Sequence, residues 1–344
     1  FIDGMIDIVS QLIDRGAAYV VEDKGVYFSV GNLSEYGRLA GRTLDQLLDD
    51  AGQRVDVDTD KKSPLDFALW KSAKPGEPSW FTPWGVGRPG WHTECVAMSL
   101  SALGTGFDIH GGGDDLCFPH HQNEWAQVTA MGQQFARYWV HSAMVNVAGE
   151  KMSKSLGNFF TIRDVLTQYD AEVIRFFLAS VQYRSEINYS QDGLKDAQTK
   201  LDRLYNALKD CDLSVEVPAD NETVIDFKGR FVEAMDDDFN TPKAIAVLFE
   251  LVTQINKANG DVKNQLAALL KMLADVLGCL QTNPEEYFKQ GVELDDAYIQ
   301  EMIEKRKQAK KDKDFALADK IRMDLDAQGI ELQDSREGTT WVSK

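Results

Sequence analysis

Residues 149–158 read Gly-Glu-Lys-Met-Ser-Lys-Ser-Leu-Gly-Asn, and they divide the chain into two kinds of pattern. Before them, short apolar alternations mix with helical periodicity. Beyond Phe160 the alternation stops and helical stripes take over. The segment itself is a loop by composition, with glycines on both sides, the ammonium groups of Lys151 and Lys154, two hydroxyls and an apolar anchor. Lysine is a compact point charge for phosphate oxygens. Positive charge is worth most where negative charge develops during a reaction. A solvated turn would explain a lone Lys-x-x-Lys. The whole run, with Leu-Gly-Asn after it, points to a loop that grips a polyphosphate while it reacts.

Upstream, Ile2, Met5, Ile6, Ile8, Val9, Leu12 and Ile13 recur at helical spacing, with Gly16 placed to cap the helix. Residues 18–21 and 26–30 read as a hairpin. Trp70, Trp80, Trp84 and Trp91 crowd among glycines and prolines, where core filling accounts for most such residues. Trp91, four residues before Cys95, is the exception to watch. Residues 107–110 form a short strand that runs into Gly111-Gly112-Gly113-Asp114-Asp115. Gly112 and Gly113 allow close backbone approach, and a following carboxylate suits ribose hydroxyls, although a glycine-rich turn after a strand is common. A helix starts at Pro119. It sets His120 and Glu124 four apart on one face. With a distant Cys95 they make a Cys/His/Glu zinc donor set one ligand short. A helix start with hydrogen-bonded histidines is the plainer alternative.

Downstream, helical periodicity covers 162–182, 193–209 and 223–281. Residues 236–242, Asp-Asp-Asp-Phe-Asn-Thr-Pro, read as a structural acidic cap rather than a metal cluster. Segment 283–296 reads as a polar linker. The net charge of −18 argues against a general polyanion binder. Even so, Lys305, Arg306, Lys307, Lys310, Lys311, Lys313, Lys320 and Arg322 crowd one helical region, either as a nucleic-acid footprint or as a solvated face laced with aspartates. A terminal strand pair is expected over 330–332 and 338–341. No apolar run is long enough for a membrane span, and four scattered cysteines suit a reducing cytoplasm better than a disulfide framework. The first residues, Phe1-Ile2-Asp3-Gly4, open inside a helical pattern, which suggests that they are not the natural start.

Taken together, residues 64–71, 90–95, 110–115, 118–124, 151–158 and 338–341 resemble those of the cysteinyl-tRNA synthetases, a class I aminoacyl-tRNA synthetase family. The resemblance implies an α/β fold. Residues 1–160 would be the C-terminal part of a Rossmann-like catalytic domain, 161–205 a stem-contact region, 206–290 a helical bundle and 297–344 an anticodon-binding module. It implies activation of L-cysteine by ATP with Mg2+, then transfer to tRNA-Cys by a monomer holding one Zn2+. Cys95, His120 and Glu124 would be metal ligands, with the substrate thiolate bound to the zinc. Trp91 would pack beside the amino acid, Asp115, Gly112 and Gly113 would serve ATP, and Lys151 and Lys154 would stabilise departing pyrophosphate. Lys310, Asp319 and Asp334 would be polar anticodon contacts and Phe315 a stacking platform. Members of the family also carry a His-x-Gly-His-type motif and a fourth zinc ligand, a cysteine, near their N-terminus. Neither is in this sequence, so the chain by itself is expected to be inactive; Cys117, three residues before His120, could in principle complete the metal but reads rather as a small apolar core residue. Two other readings fit part of the pattern: a ligase joining cysteine to an amino sugar, and a non-catalytic RNA-binding relative. The module at 297–344 disfavours the first and the lysine loop the second.

Overall fold

The computed structural model describes residues 1–52, 61–147, 149–152, 160–289, 294–334 and 338–343. They fall into two compact units, Phe1–Val145 with Tyr183–Glu186, and Asn146–Gln182 with Ile187–Lys344.

In the first unit, α1 (Ile2–Asp14) buries Met5, Ile8, Val9 and Leu12, the stripe its spacing predicts. It ends where Gly16 turns to φ +71° and donates its N–H to Ile13, a left-handed C-terminal position that favours glycine. β1 (Ala18–Val21) and β2 (Gly25–Phe28) then form the expected hairpin. After α2 (Leu44–Gly52) come β3 (Phe67–Ser72), β4 (Trp80–Thr82) and β5 (Gly85–Pro89). All five strands pair antiparallel in the order β1-β2-β3-β5-β4. Asp66, 2% exposed, enters β3 with its charge answered: its carboxylate accepts from Val30 N, Ser63 N and the Tyr19 hydroxyl at 2.9, 3.0 and 2.7 Å. A buried carboxylate without such donors would be strongly destabilising.

β5 leads straight into α3 (Trp91–Leu103). The chain passes so close to β3 there that a Cβ on Gly90 would stand 2.1 Å from the Ala68 carbonyl oxygen. β6 (Phe107–Gly113) and β7 (Ala136–Ser142) pair in parallel, with His110 beside Trp139 and Gly112 beside His141. A parallel pair needs a helical crossover, and α4 (Asp114–Leu116), the turn Cys117–His121 and α5 (Gln122–Ala130) supply it. The helix expected to start at Pro119 thus follows a shorter turn that already begins at Asp114, and Phe118 between them is extended.

From Val145 onward, β8 (Val145–Val147), β9 (Glu150–Lys151) and β10 (Ile187–Tyr189) form a small sheet in the order β10-β8-β9. The helices are α6 (Ile162–Leu166), α7 (Ala171–Ala179), α8 (Gln191–Leu208), α9 (Glu222–Asp236), α10 (Thr241–Ile255) and α11 (Gly260–Val276). Capping side chains explain why the long periodic stretches break. Thr161, Asp170, Ser190, Asn221 and Asn240 each accept a backbone N–H at a helix start. At 236–242 the cap is Asn240, not the aspartates, and Asp238 and Phe239 both take positive φ to bring it there. Buried Glu172 ties the bundle. It accepts from the Tyr205 hydroxyl and from the Leu280 and Gln281 amides, while Tyr205 stacks on Tyr287 with ring centroids 3.6 Å apart. Segment 283–296, expected as a linker, therefore carries a docked helical turn, α12 (Pro284–Tyr287).

The C-terminal part has its own apolar core, Ile299, Ile303, Ile321, Leu325, Ile330, Leu332 and Trp341. It is built from α13 (Asp296–Lys311), α14 (Phe315–Asp326) and the antiparallel pair β11 (Ile330–Asp334) and β12 (Thr339–Ser343), the pair that the sequence leads one to expect. Arg306, 5% exposed, makes a bidentate pair with Asp334 at 2.8 and 2.9 Å, and Thr339 and Lys310 reach the same carboxylate. Among the described residues, no helix is long and apolar enough to cross a membrane.

Arg306 first, then Thr339 and Lys310, hold the Asp334 carboxyl far below the usual carboxylate range. Its folded pKa thus lies below the unfolded value of about 3.9. Its stabilisation is complete above that value and disappears as the pH falls through the folded one. Asp334→Asn should lower Tm by a constant amount between pH 7 and pH 5, and the gap should narrow only below about pH 4. Thermal unfolding across that range checks this, and a gap that closes near neutral pH would contradict it.

Candidate metal and substrate site

All five histidines of the chain, His92, His110, His120, His121 and His141, meet in the first unit. The first turn of α3 brings Trp91, His92 and Cys95. The turn before α5 brings His120 and His121, and the helix itself brings Glu124. The parallel pair of strands brings His110 and His141. His92 Nδ1 lies 2.8 Å from His120 Nδ1, and His121 Nδ1 lies 2.8 Å from His141 Nε2, so one imidazole of each pair carries the shared proton.

Glu124, 0% exposed, is at the centre. His120 Nε2 lies 2.8 Å from one carboxylate oxygen and His110 Nε2 lies 2.7 Å from the other. Among the described residues, neither oxygen receives an aligned hydrogen bond, close as these nitrogens are. Burial pushes the Glu124 carboxyl up, and the His110 and His120 imidazoles more than reverse this, leaving it at about 2. Burial, then the His120 imidazole, push His92 down to about 4. Burial likewise takes His121 to about 4, against the pull of Glu124. Both rings are therefore neutral at pH 7 and offer lone pairs rather than charge.

The donor atoms of Cys95, His120 and Glu124 lie within 4.8 Å of one another. Burial and the neighbouring Glu124 raise the Cys95 thiol to about 11, so the protein alone does not hold a thiolate there. A divalent cation would supply the missing positive charge to the thiolate and share the buried, ionised Glu124 carboxylate with its imidazole neighbours. Thiolate, imidazole and carboxylate are all donors that zinc accepts, so the residues fit that ion. Cys117 belongs to neither metal-donor group found among the described residues, and its sulfur lies 3.7 Å from the Leu39 carbonyl oxygen.

Trp70 is core, whereas Trp91 is 57% exposed and stacks on His120 with centroids 4.0 Å apart, leaving a free aromatic face beside the donor set. Asp115 is exposed in α4, at the carboxyl end of β6, where ligands bind in open parallel sheets. The space opened by the glycines is used by the protein itself. A Cβ on Gly112 would lie 2.9 Å from His121 Cε1, and one on Gly113 would lie 2.7 Å from an Asp115 oxygen. Lys151 sits in β9, paired with Asn146; Lys154 lies outside the described residues. In the C-terminal part, Phe315 is 63% exposed at the start of α14, Asp319 is exposed, and Lys310 and Asp334 are paired to each other. His92, His110, His121 and His141 are the site residues that spacing did not single out. The available signal was that every histidine lies between positions 92 and 141.

A family model described as the class I (C) tRNA synthetase catalytic domain matches residues 1–199, and a DALR domain model matches residues 230–281. Cysteine–tRNA ligase from Shewanella baltica is 54% identical over 99% of this chain and 74% of its own length. The chain belongs to the cysteine–tRNA ligase family. Relatives of the same name from Methylococcus capsulatus and Photorhabdus laumondii are 51% and 52% identical, over 99% and 100% of the chain and 74% and 75% of theirs. A solved structure from Campylobacter jejuni, assigned to the arginyl-tRNA synthetases, shares the fold at 13% identity and a TM-score of 0.51. It covers 82% of this chain and 62% of that one.

Within this family member, loss of one donor should be felt as lost metal. Glu124→Gln in the full-length protein should weaken zinc by at least about 10–100-fold, the range in which even outer partners of metal ligands act. Competition with a chromophoric chelator measures this, and unchanged affinity would contradict the assignment of Glu124 as a ligand.

Proposed function

We propose that the chain is the part of an enzyme that serves the ligation of L-cysteine to tRNA-Cys at the expense of ATP and Mg2+, with one zinc selecting the amino acid. The observation that carries this reading is the convergence of Cys95, His120 and Glu124, with exposed Trp91 stacked against the set. Zinc bound there would act as a soft acceptor for the substrate sulfur. Serine offers a hydroxyl that ionises poorly and is a harder donor, so the site discriminates without a second, editing reaction.

The chain's own groups do the rest. Glu124 holds its negative charge at neutral pH and keeps His120 oriented, while neutral His92 and His121 shape the pocket without adding charge. Trp91 gives the amino acid an apolar wall and excludes water from one side. Asp115 would take the ribose hydroxyls of ATP, beside Gly112 and Gly113. Lys151 and Lys154 would neutralise charge that builds on the pyrophosphate leaving group, a stabilisation present only in the transition state.

In the C-terminal part, exposed Phe315 is the aromatic face on which an anticodon base would stack, with Asp319 and Lys310 as polar contacts. Asp334 would act chiefly by fixing Lys310 and β11 through its pair with Arg306. A ligase that joins cysteine to an amino sugar would leave this module without a task. Free thiols at all four cysteines suit a reducing cytoplasm, and the protein would act as a monomer.

Pyrophosphate exchange and charging by the full-length protein test the reading. Exchange should require cysteine and ignore serine. Lys154→Ala should lower kcat by about 100–1,000-fold with the KM for cysteine nearly unchanged. Equal activation of serine, or a Lys154→Ala effect confined to KM, would contradict these roles.

A further inference from the structure

Two consecutive residues of β10, Asn188 and Tyr189, hold the two ends of the segment that carries Lys151 and Lys154. At the near end, between β8 and β9, the Asn188 side-chain oxygen accepts the Gly149 N–H at 3.1 Å. Gly149 stands at φ +79°, a left-handed position that glycine takes without strain. At the far end, the Phe160 ring lies against the Tyr189 ring, with centroids 5.5 Å apart. We propose that Asn188 and Tyr189 are positioning residues for the pyrophosphate step, acting through the lysines carried between Gly149 and Phe160. This rests on the roles given above to Lys151 and Lys154.

Neither grip belongs to the apolar core: Gly149, Phe160 and Asn188 are all exposed. The strand serves as an anchor because it is itself fixed from behind. Tyr189 meets Phe177 of α7 edge to face, at 6.4 Å and 87°, and Phe177 packs on the core of the helical bundle. Ser190, the next residue, caps α8 by accepting the Gly193 N–H at 3.0 Å. Phe160 in turn directly precedes Thr161, which caps α6 in a reciprocal pair with Asp164. Adjacent side chains of a strand point to opposite faces, so the two grips approach from the two sides of the small sheet. Ten residues separate Gly149 from Phe160. A chain tied at both ends has fewer conformations to lose than one tied at a single end. Its ammonium groups therefore need less ordering when negative charge builds on the leaving pyrophosphate.

The test is cysteine-dependent pyrophosphate exchange by the full-length protein and its variants, each checked for folding by circular dichroism. Asn188→Ala and Tyr189→Ala should each lower kcat by about tenfold with the KM for cysteine unchanged, the size expected for one lost contact. Asn188→Asp, which keeps an acceptor oxygen, and Tyr189→Phe, which keeps the ring, should restore the rate. In a Lys151→Ala/Lys154→Ala background the two alanine substitutions should cost nothing further. If Tyr189→Ala does not fold, Asn188→Ala, at an exposed position, carries the test alone. An unchanged kcat in the alanine variants, beside a large loss in Lys154→Ala, would overturn the positioning role and leave the lysine roles standing. A loss that persists in full without the lysines would also overturn it, because the residues would then act on the fold rather than through those groups. A Lys151→Ala/Lys154→Ala variant with the wild-type kcat would overturn the lysine roles, and this proposal with them.

Discussion

The first unit depends on keeping one ionised carboxylate, Glu124, away from water among imidazoles. Its two oxygens lie 2.7 and 2.8 Å from histidine nitrogens and receive no aligned hydrogen bond among the described residues. A buried charge is costly unless neighbouring groups answer it, as the His110 and His120 imidazoles do here. Everything around it fixes the geometry of the donor set. The parallel β6–β7 pair sets His110 and His141. The close pass of Gly90 over β3 places α3 and therefore Cys95. Tyr36 and Thr93 reach into α5 to hold Asn123 and Gln127, so that the helix carrying Glu124 is pinned on both sides.

The second unit solves a different problem with similar means. Its helices are bound by a hydrophobic core, and their ends are fixed by polar side chains that accept backbone donors. Glu172 collects a tyrosine hydroxyl and two amides from residues more than a hundred positions further on. In the C-terminal part, Asp334 and Arg306 tie a strand to a helix in the same way. Each pairing acts as a clamp because burial, of Glu172 in the bundle and of Arg306 in the C-terminal part, makes an unsatisfied charge so unfavourable.

Much of this was legible in the sequence, for identifiable reasons. The helical stripe of α1 with Gly16 after it, the hairpin that follows, and the final strand pair all rest on local periodicity and turn chemistry, which a single sequence carries. His120 and Glu124 could be paired because a four-residue step on a helix fixes which side chains share a face, whereas Cys95 came with the family resemblance. The remaining histidines could not be placed this way, since their meeting depends on β6 pairing with β7, a contact between positions some thirty residues apart that no local pattern encodes. Nor could composition show that the crowded basic stretch is partly internal. Arg306 reads as one more surface charge until β11 folds back and buries it against Asp334. The linker expected at 283–296 failed for a related reason: Tyr287 is one aromatic among polar residues, and only its stack on Tyr205 gives that turn a place to dock.

X-ray absorption at the zinc edge, on the full-length protein with and without substrate, addresses the central claim most directly. If the metal held by Cys95, His120 and Glu124 selects the amino acid, adding cysteine should raise the number of sulfurs bound to zinc by one, and adding serine should leave it unchanged. A zinc shell that is the same with cysteine as without it would contradict the account.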